Sequence, residues 1–317
     1  MADPVCLGID TSCYTTSVAC ADVKSIVFSK RTMLSVPFGN RGLRQSEGLF
    51  QQVKQLSPLL CELFETVDRD RIAAIAVSAS PTAKPDSYMP VFLAGLHQAE
   101  TLAAAMNVPL YRFDHQSGHI RAALFGNEAL LDLPRFFAAH ISGGTTDLLL
   151  VEPHRDRTYR IETVGVSTDL HAGQFVDRVG VALGLPFPAG KHLERLAAEA
   201  REHSVKLPSA VSGTNCSFSG AESAAQRLRT ETAKEELAYG VYDCLARTLS
   251  KTFEHATDLY GDLPVLVCGG VASSALLRAL LKKRYRGDLY FGRPELSADN
   301  AVGVALLGAD RSMEWTN

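Results

Sequence analysis

The stretch VCLGIDTSCYTTSVAC, residues 5–20, consists of two apolar segments on either side of a short polar turn. Apolar runs of this length, bounded by turn residues, predict buried β-strands. The same order of strand, polar turn and strand returns as FFAAHISGGTTDLLLV at residues 136–151. The chain is therefore predicted to contain two halves that begin in the same way.

Helical and strand-like segments alternate after each of these openings. Helices are predicted where apolar residues recur every three to four positions, and strands where short apolar runs lie between turn residues. The predicted helices cover residues 45–64, 91–106, 115–124, 171–183, 193–203, 237–260, 271–281 and 300–309. The predicted strands cover residues 5–9, 17–20, 25–28, 72–77, 109–112, 136–141, 148–151, 159–164, 265–268 and 289–291. This alternation is typical of an α/β fold with helix-covered sheets, and two such lobes would enclose a ligand cleft.

Length and composition indicate a globular protein with two domains. The chain has 317 residues, of which 46% are hydrophobic and 21% charged, and this suits two cores of ordinary size. We predict an N-terminal lobe at residues 1–133 and a C-terminal lobe at 134–299, with a closing helix at 300–317 that packs back on the first lobe. The net charge of −3 provides no global basic field for nucleic acid, so any RNA contact needs a local patch.

The start of the chain and its cysteines bear on where the protein works. The first residues lack a charged segment followed by an apolar one, and no run of 18 apolar residues occurs in the sequence. The seven cysteines are odd in number and form no Cys-X-X-Cys pair, which argues against a disulfide framework and a zinc ribbon. We therefore predict a cytoplasmic protein with reduced thiols and no membrane contact.

Three turns place glycine or short polar side chains at the ends of apolar strands. Asp10 and Ser12 lie in the first turn, SGGTT at residues 142–146 forms the second, and the pair Gly269-Gly270 follows the strand at 265–268. A polyphosphate with a divalent ion needs backbone N–H donors, hydroxyls and a carboxylate. Plain turns whose glycines adopt positive φ would use similar residues. Three such turns in one chain favour the nucleotide interpretation.

Two histidines, His115 and His119, are spaced so that one face of a helix carries both. Both imidazoles could then reach a single ion, with Asp299 as the candidate third ligand. A hydrogen-bonded histidine pair and a helix-capping role for Asp299 are the alternatives. Gln116 stands where a zinc peptidase needs a glutamate, so that class is excluded. Gly118 weakens the helix by about 1 kcal/mol relative to alanine, which predicts a close approach by another segment.

Several sequence blocks, taken in order, resemble the threonylcarbamoyl-adenosine synthase family, known as TsaD in bacteria. The blocks are residues 8–13 (GIDTSC), 115–119 (HQSGH), 141–144 (ISGG), 169–190, 218–220 (FSG), 268–271 (CGGV) and 299–300 (DN). They span almost the whole chain, and their order makes them far more specific than any single block. The resemblance implies the actin-like ATPase (ASKHA) fold, which is shared by sugar kinases, Hsp70 and actin.

The resemblance also implies a chemistry and a set of site residues. Family members move a threonylcarbamoyl group from its AMP anhydride to N6 of adenosine 37 in tRNA, with TsaB-like and TsaE-like subunits as the expected partners. One iron or zinc ion would be held by His115, His119 and Asp299, and Asp10 and Ser12 are the candidate catalytic residues. An adenine nucleotide (ATP, ADP or threonylcarbamoyl-AMP), with Mg²⁺ as a further candidate ion, would be bound by Ser142, Gly143, Gly144, Thr145, Asp177, Gly190, Gly269, Gly270 and Ser274.

The chain departs from the family pattern at several positions. Tyr14 and Thr15 stand where members are acidic, Thr145 where they have histidine, and Ser274 where they have asparagine. Residues 80–88 replace a glycine-rich loop. Two alternatives therefore stay open, namely a carbamoyltransferase with a small-molecule acceptor and a non-catalytic nucleotide-binding scaffold subunit.

The run KKRYR at residues 282–286 is the one local run of cations in the sequence that could contact RNA phosphate. Cations in the last turn of a helix are also favoured by the helix dipole. The sequence alone favours this second explanation, and tRNA binding is expected from the family resemblance only.

Overall fold

The computed structural model describes residues 3–12, 14–36, 43–154, 158–298 and 300–313. The chain divides into two compact units. The first unit comprises Met1–Phe125, His154–Tyr159 and Ala298–Asn317, and the second comprises Gly126–Pro153 and Arg160–Ser297. The C-terminal segment therefore belongs to the first unit, although all residues of the second unit lie between the two in sequence.

The first unit is built on a five-stranded sheet with the order β3-β2-β1-β4-β5. Its strands are β1 (Val5–Asp10), β2 (Thr15–Ala21), β3 (Ile26–Met33), β4 (Ile72–Ser80) and β5 (Leu110–Asp114). β2 is antiparallel to both β1 and β3, whereas β4 is parallel to β1 and β5 is parallel to β4. The helices of this unit are α1 (Gln45–Thr66), α2 (Phe92–Met106), α3 (His115–Leu124) and α9 (Val302–Met313).

The first core explains why these segments fold as they do. β1 is buried along its whole length, which matches its unbroken apolar sequence. α1 buries Leu56, Leu60 and Leu63, whose spacing places them on one face of the helix. These leucines belong to the same apolar cluster as β1 and β4.

A second five-stranded sheet has the order β12-β11-β6-β7-β8. Its strands are β6 (Phe136–Ile141), β7 (Thr146–Pro153), β8 (Tyr159–Val166), β11 (Val265–Cys268) and β12 (Leu289–Phe291). The accompanying helices are α4 (Ala172–Ala182), α5 (Gly190–Ala197), α6 (Ser219–Leu228), α7 (Lys234–Tyr260) and α8 (Ala275–Arg284), and β9 (Ala210–Ser212) pairs with β10 (Asn215–Ser217). Among the residues that the structure describes, no helix combines the length and the apolar character needed to cross a bilayer.

The two sheets repeat one topology. In each, the first two strands in sequence form an antiparallel pair around the opening turn, and the later strands add in parallel to the first strand. The α/β alternation and the duplicated opening predicted from the sequence are therefore confirmed. Parallel strands that enter a sheet through helical crossovers account for the helices between them.

Several predicted helix boundaries differ from the structure. The helices predicted over 237–260, 271–281 and 300–309 span Lys234–Tyr260, Ala275–Arg284 and Val302–Met313. The helix predicted over 193–203 covers Gly190–Ala197. The chain leaves the helix because the Glu236 carboxylate accepts hydrogen bonds from the backbone N–H groups of Arg201, Glu202 and Ser204. A carboxylate that collects three N–H donors fixes a loop in this segment.

Candidate functional site

The histidine helix α3 starts where β5 ends. The Asp114 carboxylate caps the helix, accepting hydrogen bonds from the backbone N–H of Ser117 at 2.9 Å and from its hydroxyl at 2.6 Å. His115 and His119 lie one turn apart, with ring centroids 4.3 Å apart and an interplanar angle of 71°. The predicted helix and the shared face of the two imidazoles are confirmed.

Asp10, at the end of β1, holds the first of these imidazoles. Its Oδ2 lies 2.9 Å from His115 Nδ1, and its Oδ1 accepts a hydrogen bond from the backbone N–H of Ser12 at 2.8 Å. Asp10 is 2% exposed. A neutral histidine that donates from Nδ1 to a carboxylate presents the Nε2 lone pair on the other side of the ring. This is the orientation in which histidine usually binds a metal.

Ser12 is completely buried, and within the described residues its hydroxyl forms no hydrogen bond. The neighbouring Thr11 hydroxyl donates to the carbonyl of Val91 and accepts from the N–H of Gly95. The opening turn therefore packs against the start of α2. A catalytic role for Ser12 stays a prediction.

Asp299, the third predicted metal ligand, lies outside the described residues. Within the part of the chain that is described, no three His, Cys, Asp or Glu side chains are grouped to hold an ion. Gly303, four residues after position 299, packs directly against the histidine helix. A Cβ built on Gly303 would lie 1.8 Å from the carbonyl oxygen of Gly118. The close approach predicted from Gly118 is thus confirmed.

The turn at residues 142–145 connects β6 to β7 in the second unit. The Ser142 hydroxyl accepts hydrogen bonds from the N–H groups of Gly144 at 3.3 Å and Thr145 at 3.1 Å. Gly143 and Gly144 are exposed, and a Cβ on either would meet no atom within 4 Å. The start of α4 packs on the other side, since a Cβ on Gly173 would lie 2.6 Å from Gly143 Cα.

Gly269 and Gly270 follow β11 at the same edge of this sheet. β11 runs parallel to β6, with Cys268 paired to His140, so both glycine turns follow neighbouring strand ends. Gly269 has φ +95°, and a Cβ there would lie 2.5 Å from the carbonyl oxygen of Ile141, which restricts the position to glycine. Gly270 has open space on its Cβ side.

The other predicted nucleotide residues all have structural partners in this unit. Asp177 accepts a hydrogen bond from the N–H of Ala189 at 2.7 Å, and burial raises the pKa of its carboxyl. Gly190 begins α5, and its carbonyl accepts a hydrogen bond from the Tyr242 hydroxyl at 2.8 Å. Ser274 caps α8, because its hydroxyl accepts a hydrogen bond from the backbone N–H of Leu277 at 3.1 Å. A nucleotide-binding role for these residues stays a prediction.

Sequence reasoning gave no role to Asp169, which organises the block at residues 218–220. Its carboxylate accepts hydrogen bonds from the backbone N–H groups of Phe218 and Ser219. The hydroxyls of Ser217 and Ser219 also donate to it. Burial alone would raise the pKa of this carboxyl, but the hydrogen bonds outweigh burial and hold it well below its usual range. Phe218 and Asp169 are 49 residues apart in sequence. The one sequence signal that connects them is that both belong to blocks shared with the family.

A sequence model of the TsaD family, described as tRNA N6-adenosine threonylcarbamoyltransferase, matches residues 51–306. The chain belongs to the TsaD family. A tRNA N6-adenosine threonylcarbamoyltransferase of Carboxydothermus hydrogenoformans is 32% identical over 320 residues, covering 97% of this chain and 92% of the relative. One from Caulobacter vibrioides is 32% identical over 339 residues, covering 98% and 88%.

Solved structures share the fold of this TsaD-family chain. Component A of the (R)-2-hydroxyglutaryl-CoA dehydratase of Acidaminococcus fermentans matches with TM-score 0.57 at 16% identity, covering 98% of this chain and 100% of that one. A ROK family glucokinase from Streptomyces griseus matches with TM-score 0.51 at 11% identity, covering 96% and 99%. These similarities establish the actin-like ATPase (ASKHA) fold.

Proposed function

We propose that this protein moves the threonylcarbamoyl group of threonylcarbamoyl-AMP to N6 of adenosine 37 in tRNA. N6 attacks the carbamoyl carbon, and the bond from that carbon to the phosphate oxygen breaks. AMP then leaves with the electron pair, and N6 loses one proton. The observation that carries the proposal is the contact of Asp10 with His115 Nδ1, beside His119, in a member of the TsaD family.

A divalent iron or zinc ion fits the donor set on α3. Because Asp10 contacts Nδ1 of His115, Nε2 would be the nitrogen that binds a metal. His119 would be the second ligand, and Asp299 the third by family resemblance. Two histidines and one carboxylate leave coordination positions open for a substrate oxygen. When bound, the ion would act as a Lewis acid on the carbamoyl carbonyl.

The turns of the second unit support binding of an adenine nucleotide, with Mg²⁺ as a further candidate ion. The open sides of Gly143, Gly144 and Gly270 leave room for a phosphate to approach the backbone. The N-terminus of α4 packs against the first of these turns, and helix N-termini favour anions. Thr145, Asp177, Gly190, Gly269 and Ser274 would complete the site by family resemblance.

TsaB-like and TsaE-like subunits are the partners that we propose. Phe50 and Val53 on α1 are 63% and 56% exposed, although large apolar side chains are usually buried. Neighbouring exposed apolar side chains on one helix favour contact with another protein. A partner subunit would cover them.

Label transfer tests the proposed reaction. The protein, its partner subunits, labelled threonine, bicarbonate, ATP, an adenylate-forming enzyme and tRNA lacking the modification should give labelled nucleoside. His115→Ala should abolish the label and lower the metal content of the purified protein. His97→Ala removes an exposed histidine on α2 and should change neither.

Two outcomes would contradict the proposal. His115→Ala that keeps full metal content and full transfer would remove the role of the histidine pair. Consumption of the adenylate without label in RNA would instead support a small-molecule acceptor.

A further inference from the structure

A cationic groove lies between α7 and α8 of the second unit, and it includes Lys283 and Arg284 of the run KKRYR. It has a volume of about 560 Å³. The residues that line it are Arg247, Ser250, Lys251, Glu254, Lys283 and Arg284. All six are polar or charged, so the groove offers no aromatic ring for base stacking.

The helix dipole does not account for this arrangement. Lys283 and Arg284 are in the last turn of α8, where cations are favoured. Arg247 and Lys251, however, lie in the middle of the 27-residue helix α7, far from either end. They are four residues apart on one helix face, where like charges repel. Such an arrangement is favourable when an anion lies between the cations.

The two arginines are held in fixed positions. Asp243 accepts a hydrogen bond from Arg247 Nε at 2.8 Å and also bonds to an Nη of Arg284. Arg247 Nη2 donates to the carbonyl of Leu207 at 2.5 Å. A guanidinium carries five N–H donors, so both arginines retain donors for a phosphate.

The groove keeps a positive charge after its ion pairs are counted. Its four cations are opposed by Glu254 and the bridging Asp243, which leaves 4 − 2 = +2. Among the described residues, Lys251 and Lys283 form no salt bridge with an Asp or Glu. The whole chain carries a net charge of −3, so this site is a local exception to its overall charge.

We propose that this groove binds the phosphodiester backbone of RNA. Arg247 and Arg284 would bind phosphate oxygens through their N–H forks, and Lys251 and Lys283 would act as point charges. Contacts of this kind position an RNA without reading its sequence. The proposal rests on the proposed function, which makes tRNA the RNA in question.

Binding of tRNA at several salt concentrations tests the groove. For the full-length protein, Lys251→Ala and Lys283→Ala should each raise the Kd for tRNA about 3–10-fold and reduce the slope of log K against log salt by about 1. Lys282→Ala is the matched control, because its ammonium lies 5.5 Å from the Phe291 ring centroid and does not line the groove. It should bind tRNA like the wild type.

A competition experiment separates RNA from free phosphate compounds. ATP or inorganic phosphate at millimolar concentration should leave the difference between wild type and Lys283→Ala unchanged. Loss of that difference would overturn the assignment to RNA. So would unchanged tRNA binding by both groove variants, or a defect confined to binding of a partner protein.

The binding assay needs no adenylate, so it is independent of the transferase assay. If the wild type transfers no label but the groove variants lose RNA affinity, the proposed reaction fails and the groove stands. If label transfer succeeds and the groove variants bind tRNA normally, the groove alone fails.

Discussion

The close contact between α3 and α9 predicts that one methyl group added at Gly303 will strongly lower the stability of the protein. A Cβ at residue 303 would lie 1.8 Å from the Gly118 carbonyl oxygen, and ordinary contact begins at 3.4 Å. Gly303→Ala must therefore separate the two backbones by about 3.4 − 1.8 = 1.6 Å. Overpacking of a buried contact by this much costs about 3 kcal/mol. For a unit of this size, that corresponds to a decrease in Tm of about 6–12 °C.

The reciprocal variant provides the control. A Cβ at Gly118 would meet Val304 Cγ1 at 3.1 Å, so a shift of a few tenths of an ångström suffices. Alanine also favours a helix over glycine by about 1 kcal/mol, which offsets that strain. Gly118→Ala should therefore unfold near the wild-type temperature. Thermal and urea unfolding followed by circular dichroism would measure both variants, and equal stabilities of Gly303→Ala and wild type would refute the reasoning.

Three further variants test other parts of the structure. Asp310→Ala removes the carboxylate that bonds to the buried Arg121 guanidinium at 2.6 and 3.2 Å, and urea unfolding should show a loss of about 3–5 kcal/mol; a loss below 1 kcal/mol would contradict this. Burial raises the pKa of Asp147, and nearby His171 opposes the shift only in part. Its ionisation therefore opposes folding as pH rises above the unfolded-state value, so Asp147→Asn should raise the urea midpoint at pH 7 but not at pH 3. Asp10→Asn should weaken metal binding about 10–100-fold in a chelator competition, and unchanged affinity would show that Asp10 does not orient the ligand.

The sequence predicted elements well where the signal is local. The helix at 115–124 has both predicted ends, because Asp114 is a strong capping residue and Phe125 leaves the helical conformation. The sequence did not predict the strands β9 and β10, because three-residue strands carry no periodicity. It also did not predict the ten-residue helix α6. The helix predicted over 193–203 ends earlier in the structure, at Ala197. Glu236, which is distant in sequence, binds the backbone of the loop that follows.

In the candidate site too, the sequence predicts the local arrangement but not the contacts between residues that are distant in sequence. The shared face of His115 and His119 follows from helical spacing, so sequence reasoning could find it. The hydrogen bond from His115 to Asp10 joins positions 105 residues apart, and no local pattern encodes such a contact. The hydroxyl of Ser274 caps α8 by accepting a hydrogen bond from the backbone N–H of Leu277, and its contact with a nucleotide stays a prediction.

The position of α9 in the chain has a consequence for biosynthesis. The segment before α9 lies against β1, because a Cβ on Gly8 would be 2.5 Å from the carbonyl oxygen of Ala301. The ribosome makes α9 only after the whole second unit, so the nascent second unit can fold while the first unit still lacks a helix. This reverses the usual N-terminal-first order. We expect a chain that is released before residue 300 to have a folded second unit. Its first unit would expose the sheet around β1, and chaperones or proteases would bind it.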